Sequence, residues 1–139
     1  MKKQIKLDKK RKREGKTDYR KRLGLLKSGL PRLVFRKTNK YIILQVIESE
    51  QAQDKVLYSV NTKELLKFGW PENKIGRLKS LGAAYLAGFL MGKKTKNIKK
   101  IILDSGLIPN TKGSRVYAGV KGGKDSGLDI ICNEKVFPN

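Results

Sequence analysis

Four groups of residues in this sequence have types that invite a chemical reading, and three of them lack a required member. Gly15-Lys16-Thr17 ends like a phosphate-cradling P-loop, yet the glycine needed five positions earlier is Lys10, and no apolar strand precedes it. Gly122-Gly123-Lys124 fails in the same way: Ala118 stands where glycine belongs, and Asp125 follows where Ser or Thr is required. Asp104, Asp125 and Asp129 suggest a metal-dependent nuclease, but two-metal phosphoryl chemistry needs acids converging from neighbouring elements onto ions about 4 Å apart. The most strand-like segments, residues 33–35 and 41–47, contribute none. These aspartates read instead as caps and as partners for nearby Lys and Arg. There is no histidine, and Cys132 is the one cysteine, so neither a zinc ligand set nor a nucleophile–base pair can be assembled. The expectation is no enzyme, no metal and no cofactor.

The fourth group is basic and aromatic residues interleaved. Lys10-Arg11-Lys12-Arg13 leads to Tyr19-Arg20-Lys21-Arg22. Arg32 and Arg36 flank Leu33-Val34-Phe35, and Lys37-Thr38-Asn39-Lys40 forms a polar tip before Tyr41. Cations of this kind meet phosphates, and flat rings stack on unpaired bases. A second cluster, Pro109-Asn110-Thr111-Lys112-Gly113-Ser114-Arg115, opens a helix whose free N–H groups suit an anion, which makes Lys112, Ser114 and Arg115 contact candidates.

Charge supports that chemistry. The net charge is +21 over 139 residues, with 33 Lys and Arg against 12 Asp and Glu. Residues 1–40 hold 17 of the basic side chains and three acids, so +14 of the total lies in that stretch. One-signed charge repels itself, and a polyanionic partner relieves it. A non-specific basic protein coating nucleic acid or an anionic membrane is the plainer alternative. The uncharged run at residues 81–91 would reach only ~16 Å as a helix, short of the ~30 Å of a bilayer core, so no membrane partner is expected. No apolar stretch of signal-peptide length opens the chain, and a reducing, cytoplasmic setting fits the single cysteine.

These side chains need a scaffold, and the chain is long enough for one core. Residues 1–16 carry only Ile5 and Leu7 as large apolar side chains and are expected to gain order only on an anion. Thr17 and Asp18 read as the N-cap of a short helix ending by Gly29 and Pro31. Strands are predicted over residues 33–36, 41–47 and 56–60, with residues 48–54 a polar connection. The second strand lacks polar alternation, so both its faces should be covered, by helices on two sides of the sheet. A short helix follows Asn61-Thr62. The main helix, residues 78–94, is expected to face inward with Leu78, Leu81, Tyr85 and Phe89, widened by Leu86 and Leu90. A strand at residues 100–104 and a helix at residues 114–126 complete a single three-layer α/β domain with a mixed sheet, β-β-β-α-β-α, behind a basic N-terminal extension.

Several segments carry a likeness: Thr17-Asp18-Tyr19, Leu26-Lys27-Ser28-Gly29-Leu30-Pro31-Arg32-Leu33-Val34, Arg36-Lys37-Thr38-Asn39-Lys40, Phe68-Gly69-Trp70, Ala84-Tyr85-Leu86-Ala87-Gly88, Gly113-Ser114-Arg115-Val116-Tyr117-Ala118 and Asp125-Ser126-Gly127-Leu128-Asp129-Ile130. Together they resemble the large-subunit ribosomal protein eighteen family in its archaeal and eukaryotic form, whose eukaryotic member is numbered five. The resemblance covers residues 17–131, with a short tail at 132–139. It implies a ribonuclease-H-like domain without nuclease carboxylates. It also implies 5S rRNA gripped by the N-terminal arm, the first strands and the loop before the last helix, and seated in the central protuberance of the large subunit. Large-subunit rRNA and neighbouring ribosomal proteins, including protein five of the bacterial numbering, would be its partners, with no small-molecule substrate. Ile131-Cys132 replaces the Pro-His or Pro-Tyr usual after the last motif, and the family usually continues well beyond it.

Overall fold

The computed structural model describes residues 7–51, 53–95, 98, 100–109 and 111–138. The expectation that the N-terminal arm is unstructured without RNA falls, for residues 1–6, outside the described residues.

The apolar runs pair as β1 (Arg32–Lys37) and β2 (Ile42–Glu50), antiparallel, with Leu33 opposite Val46 and Phe35 opposite Leu44. Thr38 builds the turn between them. Its N–H and its hydroxyl donate to the Tyr41 carbonyl at 2.9 and 3.0 Å, and the hydroxyl accepts from the Tyr41 N–H at 3.0 Å. β3 (Gln53–Asn61) pairs antiparallel with β2. The polar connection predicted at residues 48–54 is therefore mostly ladder, turning at Gln51 with φ 49°. Polar side chains cost nothing on an edge hairpin that faces water, so composition hides the strands.

β4 (Ile101–Asp104) lies parallel to β1, and the two-residue β5 (Ile130–Ile131) lies parallel to β4, giving the order β3-β2-β1-β4-β5. β5 is absent from the predicted elements, because two residues carry no periodicity.

One sheet face holds the core. Leu33, Phe35, Ile42, Leu44, Val46, Val60 and Ile101 pack with α3 (Leu81–Lys94) and α4 (Arg115–Asp125). The inward side of α3 differs from the predicted stripe. Ala84, Ala87, Gly88 and Met91 are buried, whereas Leu81 and Leu86 are 47% and 42% exposed. The cause is backbone contact between the helices. A Cβ on Gly88 would lie 1.9 Å from the Gly119 carbonyl oxygen, and one on Gly122 would lie 2.0 Å from that of Tyr85. Helices this close admit only small residues between them, so Leu81 and Leu86 are turned outward while Leu90 packs at the edge of the core. α3 also starts later than predicted, at the Ser80 cap, after a 3-10 stretch, Glu72–Arg77.

The alternate residues of β1, Arg32, Val34 and Arg36, lie on the opposite face. Beside that face lies α2 (Tyr19–Lys27), capped by Asp18, which accepts from the Lys21 N–H at 3.1 Å. Helices do flank both sides of the sheet, but unequally, since both long ones share one face. Residues 132–138 fold back on α4: the Gly113 N–H donates to Val136 at 2.8 Å, and Phe137 packs on the core.

Candidate nucleic-acid interface

The face beside α2 is organised by a buried arginine. Arg32, 2% exposed, donates to Asp104 at 2.8 Å, to Asp54 at 3.1 Å and to Ser49 at 3.0 Å. Arg22 of α2 donates to the other Asp54 oxygen at 3.0 Å, and Ser49 donates to Asp54 as well. Burial pushes the Asp54 carboxyl upward, but the hydrogen bonds from Ser49 and Arg22 and the charges of Arg22 and Arg32 outweigh it and hold the group below its usual 3.8. The sequence suggests an Arg32 that offers its charge to a ligand. It does not: both its terminal nitrogens are spent joining β1, β2, β3 and β4, and the burial of a charge demands that pairing.

Arg36, two pleats further along, has an exposed side chain whose guanidinium is tethered along one edge. It donates to the carbonyls of Phe35 at 2.8 Å and Asp104 at 3.2 Å, with Asp104 Oδ1 at 3.7 Å. The loop after β4 makes room for it. Gly106, at φ +59°, would place a Cβ 3.0 Å from the Arg36 guanidinium. Lys21 donates to the Gly106 carbonyl at 2.9 Å, which ties α2 to the same loop.

Between α2, the end of β1 and that loop lies a cleft of about 790 Å³, lined on its charged side by Arg11, Lys16, Lys21, Arg22, Arg36 and Lys37 against Asp18 and Asp104. Six cations from separate stretches of sequence thus converge on one concave surface. Low-dielectric walls on such a surface concentrate positive potential, and a phosphodiester strand is the polymer that answers it.

The other predicted residues are spread more widely. Arg20, Thr38, Asn39 and Lys40 lie around the helix and hairpin tip, all exposed. Tyr19 has Lys9 Nζ 4.5 Å from its ring centre, so one face of the ring is already used. Tyr41 packs on Leu65, Leu78 and Ala83 and is as much a core residue as a stacking platform. Lys10, Arg11, Lys12 and Arg13 form α1 (Lys10–Arg13), one exposed turn in which Arg11 donates to Thr17 at 2.8 Å.

Lys112, Ser114 and Arg115 take no part in the cleft and form a separate site at the start of α4. Ser114 makes no side-chain cap bond, and its hydroxyl is buried without a partner among the described residues. Asn110 of that cluster lies outside the described residues.

Lys16 joins the cleft as one of its cations and not as a P-loop lysine, and the loop of residues 105–108 joins it although nothing in its sequence singles it out. A turn that reads only as a connection carries no sign that α2 will lie across it. The three aspartates considered for a nuclease are dispersed: Asp104 serves Arg32, Asp125 accepts from the Tyr85 hydroxyl at 2.6 Å, and the Asp129 carbonyl accepts from Ile101. Among the described residues no three His, Cys, Asp or Glu side chains are grouped to hold a metal, and no helix is long and apolar enough to cross a membrane.

Fold and charge together define a small, strongly basic α/β domain with a cation-lined cleft. Residues 3–101 match the family described as ribosomal large subunit proteins 60S L5, and 50S L18, and the chain belongs to that family. It is 47% identical over 131 residues to large ribosomal subunit protein uL18 of Korarchaeum cryptofilum, covering 93% of this chain and 65% of that protein. It is 44% identical over 129 residues to the protein of the same name from Methanococcus maripaludis, covering 91% and 65%. The chain thus spans about two thirds of the length of these curated relatives.

Proposed function

We propose that this protein is a structural component of the large ribosomal subunit that binds 5S rRNA, with no catalytic activity of its own, and helps attach that RNA to the central protuberance. The observation that carries the reading is the cleft, where Lys21, Arg22 and Arg36 are held at fixed positions around a buried Arg32–Asp104 pair. A flexible lysine tail attracts any RNA, whereas braced arginines meet phosphates, 2′-hydroxyls and splayed bases at set distances. The hairpin tip and the loop at residues 112–115 extend the surface, and residues 1–16 act as an arm that orders on the RNA. The mixed sheet in the order β3-β2-β1-β4-β5 supports a ribonuclease-H-like assignment in which arginine pairing has replaced catalytic carboxylates. Large-subunit rRNA and protein five of the bacterial numbering are the neighbours this placement implies.

The test is a pair of titrations at one salt concentration, with 5S rRNA and with a scrambled RNA of equal length. Arg36→Ala or Arg115→Ala should weaken 5S binding by about 1–3 kcal/mol, as for removal of a charge-assisted hydrogen bond, and scrambled RNA much less. Equal weakening on both RNAs overturns the reading in favour of a non-specific basic protein. Incubation with 5S rRNA and Mg²⁺ or Mn²⁺ should give stoichiometric binding without cleavage, and turnover would instead favour a nuclease.

A further inference from the structure

We propose that the apolar groove between α3 and the turn at residues 68–71 is a docking site for another protein, one that inserts apolar side chains flanked by carboxylates. The groove encloses about 630 Å³ and is walled by Leu65, Phe68, Trp70, Leu86, Phe89 and Leu90. Phe68 is 68% exposed and Leu86 42% exposed. Large apolar side chains gathered in one concavity mark an interaction surface, in a way that scattered ones do not.

The wall is built, so these rings are not accidents of a loose loop. The 3-10 helix Thr62–Phe68 ends at Gly69, whose left-handed φ of 97° turns the chain back, and the Trp70 N–H returns to the Leu65 carbonyl at 3.1 Å. The indole N–H is satisfied by the Lys74 carbonyl at 2.9 Å, so the ring asks nothing polar of an occupant. Aromatic anchors preset in this way are characteristic of the centres of protein interfaces.

Charge sets the partner's chemistry. Lys94 is already matched by Glu64 at 2.6 Å. Lys93 on the groove wall and Lys67 beside Phe68 have no carboxylate partner among the described residues, and Lys93 lies 5.4 Å from the Phe89 ring centre. A strand of RNA would find two lysines and carbon walls, far less than the six cations of the basic cleft. An amphipathic protein segment bearing Glu or Asp would satisfy both the walls and the lysines. The groove lies on α3, which covers the sheet face opposite Arg36, so it stays open while the cleft is filled. The inference therefore does not depend on which RNA binds.

Trp70 is the only tryptophan, so its emission reports on the groove directly. The full chain is titrated with two short helical peptides, both presenting leucines at i, i+4 and i+7. One is flanked by glutamates and the other by lysines, and an oligouridylate serves as the third probe. The glutamate peptide should give a saturable blue shift of Trp70. Phe68→Ala, at an exposed position that leaves the fold intact, should weaken it about tenfold. Lys67→Glu with Lys93→Glu should transfer the preference to the lysine peptide. The proposal is overturned if the glutamate peptide gives no saturable shift, if both peptides act alike, if the oligouridylate acts more strongly, or if raising the protein concentration alone produces the shift, since a second copy would then be the occupant.

Discussion

Arg32 and Arg36 have the same side chain on the same strand and the same face, yet they do opposite work. Arg32 sits between Asp104, Asp54 and Ser49, where removing it strands a buried carboxylate. Arg32→Ala should cost about 3–5 kcal/mol of stability in urea unfolding. Arg36→Ala should change stability by less than about 1 kcal/mol, because its ion pair is long and half in water, and its effect should fall on RNA affinity. Equal destabilisation by the two would remove the distinction. Asp54 carries a pH signature. Its folded pKa lies below 3.8, so above that value it is ionised in both states and its stabilisation is complete. The stabilisation disappears as pH falls through the lowered value, when the folded protein must take up the proton. Acid titration should show the unaltered protein losing more stability below about pH 4 than Asp54→Asn, which has no carboxylate to protonate.

Among the elements, the α3–α4 pair is the least forgiving. The two helices touch through Gly88, Gly119 and Gly122, and at Gly88 and Gly122 an added methyl meets backbone and not a side chain that can swing away. Gly88→Ala should therefore cost on the order of 1–3 kcal/mol or more, the range for overpacking a close approach. Gly82, in the same helix, has open space around its Cβ position. Gly82→Ala should be neutral or stabilise by up to about 1 kcal/mol, because alanine restricts the unfolded chain and favours helix. Urea midpoints of the two variants side by side check this. If both respond alike, helix propensity decides the outcome and not the close approach of the helices.

For the molecule as a whole, charge governs range and geometry governs selectivity. Residues 1–16 hold nine Lys and Arg against two acids. Deleting them should flatten the dependence of log K on log salt by roughly 0.7–0.9 for each phosphate that is no longer neutralised. The ratio of 5S to scrambled affinity should change little, because the deletion takes Arg11 and Lys16 from the cleft but leaves the braced Lys21, Arg22 and Arg36. The titrations are repeated at several salt concentrations. Disappearance of the selectivity on deletion would move recognition from the cleft to the arm.

What the chain alone determined is whatever is encoded within a few neighbouring residues. The apolar runs of β1 and β2, the helix starts at Asp18 and Asn61, and the helix-ending Gly69 and Gly127 are all readable, because a strand period or a capping residue acts locally. The basic character of the chain is readable for the same reason, since charge survives any fold. What only the tertiary structure decided depends on partners far along the chain. Arg32 is buried because Asp104, 72 positions away, lies beside it. Leu81 and Leu86 of α3 face water because α4 occupies the side they would have filled. β5 exists because β4 offers it an edge. The cleft forms because α2 crosses a loop 85 positions later, where Lys21 reaches Gly106. Local periodicity states which residues can be buried, but burial itself is settled by competition among segments for the same surface, and that competition has no signature in any single stretch of sequence.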